Sequence, residues 1–400
     1  MTIRKKIAVF IGGRSPEHDV SVVSGLQAFA ALDRRKYDPF IVYIAPDGVW
    51  FTGKDLEKRE NYIPEGHARD KLTRVVLDTN NSRDPCLMPE KRGLFAGGPL
   101  YFDIALPVFH GLHGEDGAFQ GLLEMANVPY TGMRLKASAV FMDKATTKDA
   151  LTSCNIPMLP YVSVTRPALG YLVEENLLQQ KVKEIGYPCC VKPANLGSSI
   201  GVGKATNLEE VRALLARVFQ YDSKAIIEPF VQHLVEYNVA VRSETGKAVT
   251  SAIERPKTSA ELLDFKEKYM SGGGKKGGLK TPAQSSEGML SLTRDINPDL
   301  PAELAAQIRN IAVTVFDRLD GSGTPRIDFV GNSKTGEIWF NELNPCPGSL
   351  AYFLWERAEH PLLFTELLTK LIEEAEYHHG RKQIPADPVP QDARLLKRKN

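Results

Sequence analysis

Between residues 326 and 348 the chain reads Arg326-Ile-Asp328-Phe-Val, a turn Gly331-Asn-Ser-Lys-Thr-Gly336, then Glu337-Ile-Trp-Phe-Asn-Glu342-Leu-Asn344 and Pro345-Cys-Pro-Gly348. Runs of branched and aromatic residues around a Gly-, Asn- and Ser-rich turn predict a β-hairpin. Alternation along its strands puts Arg326 and Asp328 on one face and gathers Glu342 and Asn344 there, with Ile327, Phe329 and Leu343 opposite. Two carboxylates and an amide, with no His or Cys, form a hard oxygen donor set of the kind that holds Mg²⁺ together with nucleotide phosphates. A solvated polar face on an edge hairpin is the other reading of these residues. The acids confined to one face beside an arginine, with a rigid Pro-Cys-Pro-Gly turn after them, favour the metal.

A second stretch is suited to phosphate. Tyr187-Pro-Cys-Cys-Val-Lys192-Pro193 reads as a strand ending in lysine and runs into Ala194-Asn-Leu-Gly197-Ser198-Ser199-Ile-Gly201-Val-Gly203. A loop of small residues can wrap phosphates with backbone N–H groups while Lys192 supplies a point charge; an ordinary hairpin would also explain the glycines. A helix is expected from about Asn207.

The elements that would position a substrate lie nearer the start. Ile7–Ile11 is a buried-type strand leading into Gly12-Gly13-Arg14, with Ser15 as an N-cap and Pro16 at the first position of a helix reaching about Leu32. A second strand at Phe40–Ile44 completes a βαβ unit with a parallel sheet. Glu17 falls at the strand-to-helix turn, where open α/β sheets bind ligands, although a carboxylate there also suits the helix dipole. A further strand, Tyr101–Phe109, feeds His110-Gly-Leu-His113-Gly114-Glu115-Asp116-Gly117 and the helix Ala118–Ala126. Glycine there allows close backbone approach, and the helix start offers N–H donors to an anion. Neither G-x-G-x-x-G nor G-K-[ST] is present, so dinucleotide and P-loop binding are unsupported.

Length and charge set the frame. Four hundred residues predict two or three domains. Fifty basic against 49 acidic residues give a net charge of +1, which offers no global footprint for nucleic acid or membrane. Cysteines 86, 154, 189, 190 and 346 form no C-x-x-C and leave an odd one over, as expected for a reduced, cytoplasmic setting. The apolar run Ile7–Ile11 is too short for a signal sequence, and no stretch approaches a membrane span. Residues 45–100 read as an elaborated insertion and 253–295 as a mobile, glycine-rich connection; Pro301–Leu319 is an amphipathic helix and Pro385–Asn400 a loose basic tail.

In order, these segments resemble a known family. R-x-D-x-x, a hairpin and N-E-x-N-x-x-P-G resemble the metal-binding end of ATP-grasp ligases, above all the D-alanine–D-alanine ligase family. The H-G-x-x-G-E-D-G loop at 110–117, M-D-K-x-x-x-K at 142–148 and V-K-P-x-x-x-G-S-S-x-G-V at 191–202 continue the resemblance. With Glu228-Pro-Phe230-Val231 and Asp264-Phe-Lys-Glu-Lys268-Tyr269 it spans about residues 6 to 370.

The resemblance implies an α/β (α+β) chain. A parallel-sheet (pre-ATP-grasp) substrate domain would occupy 1–135, followed by a two-part ATP-grasp fold: a lid over 136–245 and a metal-binding catalytic domain over 246–380, with a tail at 381–400. It implies ATP- and Mg²⁺-dependent joining of two D-alanines through an acyl phosphate, for peptidoglycan precursor synthesis. By residue match, Glu17 holds the first substrate's ammonium and lines up with Ser198 and Tyr269 above it, His110 lies beside that substrate, and Arg326 with the Gly348 N–H faces the oxyanion. Lys144, Lys192, Ser199, Glu228, Phe230, Val231, Glu236 and Lys268 would bind ATP, with the backbone near Phe230 and Val231 at the adenine and Glu236 at the ribose. Asp328, Glu342 and Asn344 would hold two Mg²⁺, or Mn²⁺, ions. A cytoplasmic homodimer acting on small molecules, with no nucleic acid or membrane partner, completes the expectation.

The chain departs from the family in three places. Asn195-Leu196 replaces the Arg-Glu that precedes G-S-S, and the spacing from Glu228 to Glu236 is one residue longer. Phe353, followed by Leu354, stands where a serine would bind the acceptor's carboxylate, so that contact falls to backbone N–H groups or to Ser349. A different second amino acid or amine acceptor therefore stays open, and Lys268-Tyr269 in the lid motif favours an amine over a hydroxy acid. A non-catalytic ATP-binding protein and a nucleotide-binding oxidoreductase are the readings from other classes. The complete set Arg326, Asp328, Glu342 and Asn344 counts against the first, and the missing glycine fingerprint against the second.

Overall fold

The computed structural model describes residues 4–62, 71–80, 83–90, 97–197, 201–257, 294–382, 389–390 and 392–395. Three sheets organise them. The first has seven strands: β1 (Lys5–Gly12) pairs in parallel with β2 (Tyr37–Ile44) and β7 (Ile104–Pro107). Ile7 to Ile11 in β1 are each 0% exposed, so the run carries no polar alternation. The parallel sheet is thus found, and the insertion expected over 45–100 extends it: β3 (Trp50–Thr52), β4 (Thr73–Leu77), β5 (Cys86–Pro89) and β6 (Leu100–Tyr101) add on antiparallel.

The expected strand Tyr101–Phe109 is two strands. β6 lies at one edge of the sheet and β7 at the other, with Phe102 and Asp103 between them. A link this short forces the sheet to curl until its edges meet. Phe102 donates to Pro85 on one side and Asp103 to Lys6 on the other, and Phe10, Val42, Leu87, Phe102 and Phe119 fill the enclosed core. Helix α1 (His18–Ala31) follows β1. Its N-cap is Glu17, two residues later than expected, because the Ser15 hydroxyl accepts from the Glu17 N–H in a turn ahead of the helix.

The second sheet is antiparallel, ordered β10-β9-β11-β8 from β8 (Val162–Thr165), β9 (Cys189–Pro193), β10 (Gly203–Ala205) and β11 (Lys224–Pro229). Helices α5 (Glu175–Ile185) and α6 (Leu208–Val218) bury Leu178, Val182, Val211 and Leu215 against it. Asn207 caps α6 by accepting from the Glu210 N–H.

The third sheet, also antiparallel, runs β14-β13-β12-β15-β16: β12 (Leu234–Glu244), β13 (Lys247–Pro256), β14 (Arg294–Ile296), β15 (Arg326–Asn332) and β16 (Ile338–Asn344). Helix Ala302–Arg318 covers it with Ile308, Ile311 and Val315, joined by Phe141 of α3 (Leu135–Met142) and Leu151 of α4 (Lys144–Leu151). Trp355, Leu354 and the helix Phe364–Arg381 pack Leu367, Leu368 and Leu371 into one core with Ile7, Val9 and Ile11, so the first and third units share a hydrophobic interior. All five cysteines are free, and no helix among the described residues is long and apolar enough to cross a membrane.

Candidate active site

The predicted hairpin is β15 with β16, and its register decides which side chains meet. Arg326 faces Asn344 and Asp328 faces Glu342, but Phe329 then faces Phe340, so β16 carries an extra residue at the bulge. Phe340 and Leu343 both remain in the core, which turns Asn341 and Glu342 together onto the site side. Strict alternation along β16 would put Asn341 on the Leu343 face instead. The signal that locates it is the core spacing itself, Ile338-x-Phe340-x-x-Leu343: two apart, then three.

Asp328 is buried and heavily engaged. Arg326 Nε and Nη2 each donate to it at 2.6 Å, and Asn344 Nδ2 donates at 2.8 Å. Asn238 lies opposite it on β12, and its amide nitrogen, turned that way, reaches Asp328 Oδ1 at 3.2 Å. Among the described residues no three His, Cys, Asp or Glu side chains gather into a metal cage. Asp328, Glu342 and the Asn344 amide carbonyl are hard oxygen donors, the chemistry that suits a cation completing its shell with substrate oxygens and water.

Three lysines close in from the second sheet and α4. Lys144 Nζ lies 2.9 Å from Glu342 Oε2 and donates to Leu196 O at 2.8 Å. Lys192 Nζ sits 2.6 Å from Glu228 Oε2 and donates to Asn341 Oδ1 at 2.9 Å. Lys148 Nζ sits 2.6 Å from Glu228 Oε1. Glu228 is 1% exposed; burial works to raise its pKa, but Lys192 and Lys148 outweigh that and hold it down at about 2. Burial lowers the Lys148 pKa, whereas for Lys192 the attraction of Glu228 outweighs burial and the pKa rises. Lys148 was not picked out as a site residue, although its position four residues after Lys144 puts both on one helical face.

The loop Gly111–Gly117 meets the start of α1. A side chain at Gly111, where φ is +74°, would lie 2.6 Å from Glu17 Oε2, so only glycine admits the carboxylate there. Gly197 faces the same carboxylate, its ideal Cβ position 3.4 Å from Oε1. Glu115, also buried, accepts from the Gly111 N–H at 2.6 Å and the Cys346 N–H at 2.7 Å. Burial and the neighbouring Glu17 push its pKa up to about 8. His110 is buried with Nε2 3.0 Å from Ser24 Oγ, and burial pulls its pKa down to about 4, so the ring is neutral.

The Phe230 N–H donates to Pro188 O, and Lys204 Nζ lies 4.5 Å over the Phe230 ring. Val231 and Glu236 are half-buried. Gly348 has open space where a side chain would be, and Leu354 is fully buried. The Arg294 guanidinium, paired to Glu254 at 2.9 Å, lies 4.9 Å over the half-buried Phe353 ring. Ser198, Ser199, Lys268 and Tyr269 lie outside the described residues.

Comparison with known proteins completes the description. Residues 6–133 match the family model described as D-ala D-ala ligase N-terminus, and 150–373 the model for D-ala D-ala ligase C-terminus. The chain is 32% identical over 389 residues to the D-alanine–D-alanine ligase of Geobacillus kaustophilus, covering 95% of this chain and 97% of that one. With the Acetivibrio thermocellus D-alanine–D-alanine ligase it shares 34% over 385 residues, covering 92% and 95%. The Coxiella burnetii D-alanine–D-alanine ligase structure superposes with a TM-score of 0.76 at 25% identity, covering 95% of this chain and 96% of that one. The VanG D-Ala:D-Ser ligase of Enterococcus faecalis gives 0.72 at 26%, covering 93% and 100%.

Proposed function

The chain belongs to the D-alanine–D-alanine ligase family, and on that premise we propose how its residues carry the reaction. It is an ATP-dependent ligase that joins two D-alanines for peptidoglycan synthesis, and the family uses a divalent metal. The observation that carries the residue assignment is the one-sided array of Asp328, Glu342 and Asn344 met by Lys144 and Lys192.

Glu17 holds the ammonium of the first D-alanine, whose carboxylate attacks the γ-phosphate of ATP, so that ADP leaves and an acyl phosphate forms. Lys192 and Lys144 place positive charge at the phosphates, and the small-residue loop 194–203 wraps them, with Ser199 within it. Phe230, Val231 and Glu236 bind the adenosine end, Glu228 fixes Lys192 from behind, and Lys268 comes from the lid. Asp328, Glu342 and Asn344 hold the metal, two Mg²⁺ or Mn²⁺ ions. Bound there, the metal neutralises charge on the transferring phosphoryl group. The amine of the second D-alanine attacks the acyl carbonyl, phosphate leaves, and Arg326 with the Gly348 N–H faces the oxyanion. Ser198 and Tyr269 act in line with Glu17. The division into 1–135, 136–245 and 246–380 follows the same reading; β12, at the end of the second range, pairs with β13 and β15 of the third sheet. We place the enzyme in the cytoplasm as a homodimer.

A second reading concerns only the acceptor. Phe353 under Arg294 offers an aromatic wall in place of a hydroxyl donor, which suits an acceptor other than D-alanine. Phosphate release with Mg-ATP and D-alanine tests the function, and adding a panel of second amino acids tests the acceptor. No release with any amino-acid pair would overturn both.

A further inference from the structure

Helix α1 presents a polar stripe to the site, and its far end has no role in the account above. Glu17, Ser21, Ser24 and Gln27 recur at helical spacing, so they share one face. Ser21 ties the helix to its own sheet: its hydroxyl accepts from the Gly12 N–H at 2.8 Å and donates to Val108 O at 2.6 Å. Ser24 and Gln27 instead reach the catalytic unit, and both reach the same residue. The Ser349 N–H donates to Ser24 Oγ at 2.9 Å, and the Ser349 hydroxyl donates to Gln27 Oε1.

Ser349 begins an unusual turn. Ser349, Leu350 and Ala351 have φ of 50°, 55° and 50°, three consecutive non-glycine residues in the left-handed region. Such a run persists only where its surroundings over-determine it, and it concentrates where function needs a fixed geometry. Within the turn the Leu350 N–H donates to Pro347 O at 2.8 Å and the Tyr352 N–H to Ser349 O, and α1 adds the two bonds to Ser349. Ser24 is itself held: the buried His110 ring meets Ser24 Oγ at 3.0 Å through Nε2. The Ser24 hydroxyl oxygen accepts from the Ser349 N–H, which leaves its own proton for His110 Nε2. Both sides of that hydroxyl are satisfied. Glu115 holds the Cys346 N–H at 2.7 Å, so the segment is fastened on both sides of Gly348.

We propose that Ser24 and Gln27 are positioning residues for the acyl-transfer half of the reaction, holding the left-handed turn 349–351 that joins Gly348 to Phe353. This rests on the roles given above to Gly348 and Phe353. The same helix carries Glu17 at its start, so the element that holds the first amino acid also sets the turn over which the second must approach. Both donors of Ser349 are spent on this grip, which places the contact to an acceptor carboxylate on other groups of the turn.

The test uses the full chain with Mg-ATP and D-alanine, measuring phosphate release and resolving the constants for the two D-alanine sites and ATP. Ser24→Ala and Gln27→Leu should each lower kcat and raise the second-site KM by about ten-fold, with the first-site and ATP constants within about two-fold of wild type. Gln27→Glu keeps an acceptor oxygen at the same reach and should restore most of the second-site KM. Gln27 is half-buried on a regular helix, so its two variants carry the test even if Ser24→Ala folds poorly. A purely structural role would reduce the active fraction and leave every KM alone; that pattern overturns the proposal, as do wild-type constants in both variants or a Gln27→Glu enzyme no better than Gln27→Leu. A wild-type chain that releases no phosphate with D-alanine would overturn the ligase reading itself, a result distinct from any of these.

Discussion

Lys192 Nζ lies 2.9 Å from Asn341 Oδ1, a contact that joins the strand Cys189–Pro193 to the hairpin carrying Asp328, Glu342 and Asn344. It exists because the bulge on β16 turns Asn341 toward the site beside Glu342. Lys192 is thereby fixed by two groups, the Glu228 carboxylate and the Asn341 amide, and aimed by both.

Asn341→Leu should therefore loosen Lys192 without removing its charge. We expect the KM for ATP to rise by roughly ten-fold, corresponding to the loss of one hydrogen bond to a charged group. D-alanine binding should not change. Lys192→Met should have the larger effect, weakening nucleotide binding far more than D-alanine binding. Calorimetric titration with ATP checks both, and unchanged affinity in the two variants would remove the loop from the nucleotide site.

Glu228 links the site to stability. Its folded pKa, about 2, is depressed below the usual glutamate value, so its contribution is fully present above the unfolded pKa of about 4.3 and is lost as pH falls toward 2. Denaturant midpoints should fall across that window, and Glu228→Gln should be less stable at neutral pH and show a smaller decline. Lys148→Met removes a buried charged partner and should cost about 2 kcal/mol, measured by urea denaturation at neutral pH.

Asp328→Asn and Glu342→Gln each keep the size of the side chain while weakening metal ligation. Turnover at ordinary Mg²⁺ should collapse in both, with the fold retained by circular dichroism. Near wild-type turnover in either would contradict the assignment.

Phe353→Ser tests the acceptor pocket. The variant gains a hydroxyl and loses the ring beneath Arg294, so the KM for D-alanine at the second site should fall by about ten-fold or more while the first site stays unchanged. A wild-type enzyme that already saturates at low D-alanine, with no response to this change, would show an ordinary pocket.

Local pattern alone was enough for much of this protein. Period-two alternation located the 326–344 hairpin and put Asp328, Glu342 and Asn344 on one face, and the strand-helix-strand run at 7–44 predicted the parallel core. The order of the motifs along the chain is by itself the signature of the family. What alternation could not supply was register, because a single extra residue on β16 changes which face Asn341 joins, and only the pairing with β15 reveals it. The curled first sheet was hidden for the same reason: β6 and β7 are adjacent in sequence yet lie at opposite edges. Ser24, Gln27 and Lys148 read locally as ordinary helix residues. Their partners Ser349 and Glu228 lie 325, 322 and 80 residues away in sequence, and only the tertiary packing brings them within hydrogen-bond reach.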